Sequence, residues 1–347
     1  MRRGLGFWKY PLFVVMLLLV IAASTFIYGL SETAVAPYDP VETPDPSIME
    51  NPEPPDEPED EPEDEPEDEP EDEPEDEPFI PTDHVLINLN EEDIHTGYLI
   101  PVNYAHSYKI PEDLDLVTIL EAQTTPFRVQ IDSFRLRASI MEPLSNMMGS
   151  FISSTRNNSV AIISAFRTLN NQQSILNGYI SRVGRNEALR WAALPGHSEH
   201  HTGLSFDFGI LSGGVRSTFE GTGSTAWFRR NAHDYGFILR FPANKTQITR
   251  TNHEPWHFRF VGLPHSYIMF QNDWCLEEYI DMLREHTFDN PFEAEHDGVL
   301  YQIYFSGDTD VKLPLSSDFD ISGNNVDGFI VTAVRIEYDP SLVEIEV

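Results

Sequence analysis

Two histidines, an aspartate and a free glutamate stand in this chain at spacings that suit metal-assisted hydrolysis. The run Ser198-Glu199-His200-His201-Thr202-Gly203-Leu204-Ser205-Phe206-Asp207 is followed about fifty residues later by Glu254-Pro255-Trp256-His257. Zinc in hydrolases takes three protein ligands from His, Asp or Glu and keeps a further position for water. His200, Asp207 and His257 supply such a set. Glu254, three residues before a ligand, is left free to take a proton from a water held there. The chemistry implied is hydrolysis of an amide bond without a serine or cysteine nucleophile.

Crowding around His200 leaves the ligand choice open at this level. His197, Glu199 and His201 flank it. Adjacent side chains of an extended chain point to opposite sides, so His200 excludes its neighbours and His201 is the alternative. A second ambiguity lies at His253-Glu254-Pro255-Trp256-His257, which spells H-E-x-x-H. That motif works by placing two histidines one turn apart on a helix. Pro255 lacks the amide hydrogen and steers Glu254 out of helical geometry, so the match reads as accidental and His253 as a bystander. His257 and Glu254 keep their roles on either reading. Arg167 precedes Thr168, a residue suited to cap a helix, and positive charge is disfavoured there unless an anion offsets it. Its guanidinium fork suits an anionic oxygen, which makes it the candidate for a substrate carboxylate and for charge in the transition state.

The elements that must hold these residues are legible in outline. Tyr98 to Val102 and Val160 to Ser164 read as strands, short and rich in β-branched residues. Leu204 to Gly209 alternates apolar and polar residues and reads as the strand carrying Asp207, entered through a turn at Gly203. Ile140, Leu144, Met147, Met148, Phe151 and Ile152 recur at helical spacing, with Pro143 marking a start or a kink. A second helix follows Thr168, with Ile175, Leu176, Tyr179 and Ile180 on one face. Thr225 to Tyr235 and Leu276 to His286 read as helices too. From Val299 the period becomes two, predicting a small β-rich appendage. The fold class is α+β.

Beyond the site residues, several ordered blocks resemble the VanY-type D-alanyl-D-alanine carboxypeptidases. The blocks are Ser-Glu-His-x-x-Gly-Leu-Ser-x-Asp, Glu-Pro-Trp-His, Ser164-Ala165-Phe166-Arg167 with Gln172, and Tyr235-Gly236-Phe237-Ile238-Leu239-Arg240-Phe241-Pro242. Arg259-Phe260-Val261-Gly262-Leu263-Pro264-His265, Leu276-Glu277-Glu278-Tyr279 and Ile321-Ser322-Gly323-Asn324-Asn325-Val326-Asp327-Gly328 extend the likeness from about Tyr98 toward the C-terminus. The resemblance implies a hedgehog/D,D-peptidase-like core, a zinc ion on His200, Asp207 and His257, and Glu254 as base. It selects His200 over His201 and carries substrate-binding roles to Arg167, Gln172 and Ser198. It also implies removal of terminal D-alanine from peptidoglycan stem pentapeptides, the activity that removes the target of glycopeptide antibiotics such as vancomycin. Rival readings are a peptidoglycan endopeptidase, a D,D-dipeptidase, and a non-catalytic cell-wall-binding module. Ala165-Phe166 before Arg167, and His197, depart from the family's commoner residues.

The N-terminal quarter is of a different kind. Residues 1–11 carry Arg2, Arg3 and Lys9 and no acid; 12–30 are a near-continuous apolar run of bilayer-spanning length. The positive-inside rule then puts the N-terminus in the cytoplasm and the catalytic domain outside the cell, on a single-pass transmembrane anchor. Residues 31–81 hold 23 acidic side chains and no Lys or Arg, with Glu-Pro-Glu-Asp repeating from Glu57. Such a segment cannot bury a core and reads as a disordered, extended stalk. The catalytic domain is expected at 82–290 and the β-rich appendage at 291–347. Of the net charge of −35, the stalk supplies −23, and the rest of the chain lacks the clustered basic residues that a nucleic-acid partner needs. Cys275 is the sole cysteine, so no intramolecular disulfide forms, and it reads as a packed core residue.

Overall fold

A computed structural model describes residues 84–315 and 318–335, which fall in one compact unit. The expected anchor and acidic stalk lie outside the described residues. Among the described residues no helix is long and apolar enough to cross a membrane.

A mixed sheet carries the site. Its strands run in the order Arg128–Val129, Val160–Ser164, Ser205–Ser212, His257–Phe260, Phe237–Leu239, and Val215–Ser217 pairs with the outer end of Ser205–Ser212. The first pair is parallel and the rest are antiparallel. Alternation along the strands gives the sheet two buried faces of opposite character. Phe206, Phe208, Phe258 and Phe260 turn to one side and join Leu144, Met147, Met148 and Phe151 of the helix Met141–Thr155 in the largest core cluster. Each fully buried aromatic of this kind contributes about 1.5–3 kcal/mol. Ser205, Asp207, His257 and Arg259 turn to the other side, where every one of them is also buried.

The anticipated helices form in part: Thr225 to Tyr235 is α-helical only over Ala226–Asn231, between 3-10 turns, and the helix from Leu276 ends at Leu283. Pro143 sits in the first turn of Met141–Thr155, where its missing N–H would have no intrahelical partner. Thr168 caps Leu169–Val183 through a bond from the Asn171 N–H to its hydroxyl. Cys275 is buried, its thiol pushed up to about 12 by burial. Tyr98–Val102, by contrast, is not a strand. Its backbone is satisfied by side chains instead of a ladder: Leu99 N–H donates to Ser322 Oγ, Arg259 Nη2 donates to the carbonyls of Tyr98 and Ile100, and Asn325 Nδ2 donates to that of Pro101. Apolar, β-branched composition is shared by strands and by buried extended segments, so the pattern alone could not separate them.

The C-terminal strands Phe292–His296, Val299–Ser306, Phe329–Val334 and Phe319–Gly323 form an antiparallel sheet. Turns link the helix Leu276–Leu283 to the strand Phe292–His296 without a break in packing. Ile303 and Ile330 share a core with Ile268, Tyr279 and Leu283 of the preceding helices and with Leu99. Strand Asp310–Pro314 pairs with His84–Asn88, so the start of the body is folded into its end. Gly323 lies where a Cβ would meet the backbone of Ile94 and Asp93, which cannot move aside as a side chain can. Gly323→Ala is therefore expected to lower stability by about 1–3 kcal/mol, read as a shift in the urea midpoint.

Candidate functional site

Sheet register brings the distant candidate ligands together. Asp207 and His257, fifty residues apart in sequence, are direct cross-strand partners, and Ser164 faces Asp207 from the other side. His200 arrives on the 3-10 turn Glu199–Thr202, which ends at Gly203 in the left-handed region (φ 69°). A Cβ there would press on Leu116 and, at that φ, be strained, so glycine suits this entry into the strand. One ligand atom from each of His200, Asp207 and His257 lies within 4.8 Å of the others. His200 Nδ1 bonds the Ala165 carbonyl at 2.8 Å, which aims Nε2 at Asp207 Oδ2, 3.4 Å away. His257 turns Nδ1 to Asp207 Oδ1 at 2.9 Å. Two imidazoles and one carboxylate, buried and convergent, are a donor set that fits zinc.

Electrostatics agree with that use. Burial, then the Arg167 charge, holds His200 down to about 4, so its Nε2 lone pair is free. Burial would also lower His257, but the neighbouring carboxylates of Asp207 and Glu199 raise it to about 9. That ring must give up a proton when a cation takes its lone pair. Burial opposes ionisation of Asp207, but His200, His257 and Arg167 hold it well below the usual carboxylate range. Burial pushes Glu254 up to about 8. Its Oε2 is 3.9 Å from His257 Nδ1, which places a group able to hold and exchange a proton beside the candidate ligand set.

The other residues read from sequence are arranged around this centre. Arg167 donates from Nη2 to Asp207 Oδ2 at 2.8 Å, from Nε and Nη2 to Ser164 Oγ, and from Nη1 to Gln172 Oε1. Gln172 Nε2 donates to the Ala193 carbonyl, so Gln172 fixes the guanidinium that lines the cleft. Ser198 and His197 line the same cleft, of about 240 Å3, along with Tyr104, Trp191 and Arg250. A larger cavity of about 760 Å3, bounded by Phe219, Phe270 and Trp274, contains none of the three ligands. His201 is not placed as a ligand: Nδ1 bonds the Arg167 carbonyl and Nε2 accepts from Gly196 N–H. His253 is exposed, bonds the Phe241 carbonyl, and lies in no helix, so the H-E-x-x-H spelling has no structural counterpart.

A buried ionic network behind His257 is absent from the reading of the sequence. Glu199 is 3% exposed and accepts from Arg240 Nε at 2.7 Å, while Arg259 Nη1 lies 3.0 Å from the same oxygen. Arg240, wholly buried, also donates from both Nη atoms to Glu277, which accepts in turn from Asn103 Nδ2. Burial would raise Glu199, but Arg240 and Arg259 overturn that and hold it far below the usual range. The signal was present: Arg240 and Arg259 are lone charges inside Phe-Ile-Leu-Arg-Phe and His-Phe-Arg-Phe, where a charge is seldom buried without a partner.

Comparison with known proteins gives a consistent result. The sequence profile described as VanY, D-alanyl-D-alanine carboxypeptidase, matches residues 133–263. A D-alanyl-D-alanine carboxypeptidase of Enterococcus faecium is 43% identical over 144 residues, 40% of this chain and 45% of that protein, so the match spans less than half the relative's length. The bifunctional D-Ala-D-Ala dipeptidase and D-Ala-D-Ala carboxypeptidase VanXYC of Enterococcus gallinarum is 35% identical over 36% of this chain and 68% of its own. The crystal structure of the vancomycin resistance D,D-dipeptidase VanXYg, in complex with a D-Ala-D-Ala phosphinate analog, superposes with a TM-score of 0.65 at 33% identity. It covers 73% of this chain and 99% of that one. By sequence along its catalytic core and by fold over nearly all the described residues, the chain belongs to the VanY family of D-alanyl-D-alanine carboxypeptidases.

Proposed function

We propose that the protein is a zinc-dependent D-alanyl-D-alanine carboxypeptidase that releases the terminal D-alanine of peptidoglycan stem pentapeptides. The observation that carries the reading is the convergence of His200, Asp207 and His257 beside the protonatable, buried Glu254. His200, Asp207 and His257 would hold the ion. When bound, zinc supplies an electrophile and acidifies water. Glu254 accepts the proton of the attacking water as its oxygen adds to the penultimate D-alanine carbonyl. It returns that proton to the leaving amine as the C–N bond breaks. Arg167, held by Ser164, Gln172 and Asp207, keeps one Nη1 hydrogen unengaged and is placed to meet an anionic oxygen. Ser198 and Gln172 border the peptide. Depletion of the D-Ala-D-Ala terminus would lower sensitivity to vancomycin.

A D,D-dipeptidase reading is kept as the second, because two of the relatives reported above are named for that activity. One assay separates them. Free D-alanine is measured from a stem pentapeptide and from D-Ala-D-Ala dipeptide, with and without chelator. Release from the pentapeptide alone, abolished by chelator and restored by zinc, is the expected outcome. Cleavage of the dipeptide alone would replace this reading with the second, and no release from a zinc-loaded sample would replace both with a peptidoglycan endopeptidase or a wall-binding role.

The apolar run at 12–30, preceded by Arg2, Arg3 and Lys9, supports a membrane anchor with the catalytic body outside the cell. The acidic repeat supports a stalk that holds the enzyme in the wall.

A further inference from the structure

We propose that Glu199 is the positioning residue for His257: its carboxylate receives the Nε2 proton of that ring and so fixes Nδ1 as the atom that ligates. The inference rests on the metal reading above and deepens it. His257 is 4% exposed, and its two ring nitrogens face two different carboxylates. Nδ1 lies 2.9 Å from Asp207 Oδ1, on the ligand side. Nε2 is fully buried, has no aligned hydrogen-bond partner, and finds its nearest carboxylate oxygen in Glu199 Oε2 at 3.5 Å. A buried imidazole nitrogen without a partner is costly unless a small adjustment completes the bond.

The division of labour within Glu199 supports the assignment. Oε1 is taken by Arg240 and Arg259. Oε2 is left to a long contact from Ser205 Oγ at 3.3 Å and to the His257 ring. Two buried guanidiniums hold the carboxylate in place, and Arg240 is itself braced by Glu277, which accepts from Asn103. A metal-ligating histidine whose other N–H meets a fixed carboxylate is held in one tautomer and orientation, and loss of such a partner weakens metal binding about 10–100-fold. Glu199 therefore acts through His257 without touching substrate.

The test compares Glu199→Gln with Glu277→Gln in the full chain. Both loosen the same ionic network, but only the first alters the group facing His257. The zinc dissociation constant, read by competition with a chromophoric chelator, is expected to rise about 10–100-fold in Glu199→Gln and to stay at the wild-type value in Glu277→Gln. An unchanged constant in Glu199→Gln, whatever its melting temperature, overturns the proposal. Should Glu199→Gln fail to fold, nitrogen-15 NMR of the zinc-loaded wild type decides. A protonated Nε2 with Nδ1 ligated supports the assignment, and ligation through Nε2 overturns it. Should the wild type bind no zinc, the metal reading falls separately. The positioning claim is then decided in the metal-free chain by a hydrogen-bonded His257 Nε2 proton, present for support and absent for refutation.

Discussion

Replacing Glu254 with alanine is expected to cut kcat for D-alanine release about 10²–10⁴-fold, the usual contribution of a positioned general base. All three metal-site residues stay in place, so zinc content should match the wild type and the loss should fall on kcat with little change in KM. Folding stability is expected to move the other way. Glu254 is 7% exposed, and burial raises it from 4.5 to about 8. A carboxyl whose folded value lies above its unfolded one resists ionisation in the fold. Metal-free wild type should therefore lose stability as pH rises from about 4.5 toward 8, relative to the variant. Thermal melts of chelated samples at pH 5 and pH 8 check the sign. Retained kcat in Glu254→Ala would remove Glu254 from the chemistry.

Arg240→Met carries the largest expected effect on stability. Arg240 is wholly buried between Glu199 and Glu277, with hydrogen bonds of 2.7, 2.9 and 2.6 Å. Removing one partner of a buried ionic set strands the others, at a cost of about 3–5 kcal/mol. For a body of this size that is a fall in Tm on the order of 10 °C. The effect should depend on pH in a defined direction. Despite burial, Arg240 holds both glutamates below 4.5, so their contribution is present above that pH and disappears as pH falls through their lower folded values. The gap in Tm between wild type and Arg240→Met should thus be widest near neutrality and narrow toward pH 3. A gap that does not vary with pH would mean that the arginine stabilises by packing alone.

The contrast between Glu254 and Arg240 explains what could be read from sequence. Glu254, His257, His200 and Asp207 are few, chemically distinctive and close in sequence within two short runs, so their spacing carries the message. Strand alternation then predicts the faces correctly, because Phe206, Phe208 and Phe258 commit one side of the sheet to the core. Glu199 escaped notice for a local reason. Adjacent residues of an extended chain diverge, but Glu199 and His200 lie in a 3-10 turn, which delivers both to the same buried layer. Its partners Arg240 and Arg259 come from just past one strand and from within another, Arg240's second partner Glu277 comes from a helix, and only tertiary pairing discloses them. Tyr98–Val102 has the composition of a strand but is none, because its hydrogen bonds go to Arg259, Ser322 and Asn325, residues far along the chain.

The pairing of Asp207 with His257 across adjacent strands also makes the site a gauge of folding fidelity. A slip of one residue would set Phe258 opposite Asp207 and rotate His257 into the aromatic layer. A mis-registered molecule therefore loses a ligand outright instead of binding with a graded penalty. Among purified molecules, the stoichiometry of tightly held metal should count the correctly registered fraction, and specific activity per bound ion should stay constant between preparations that differ in activity per milligram.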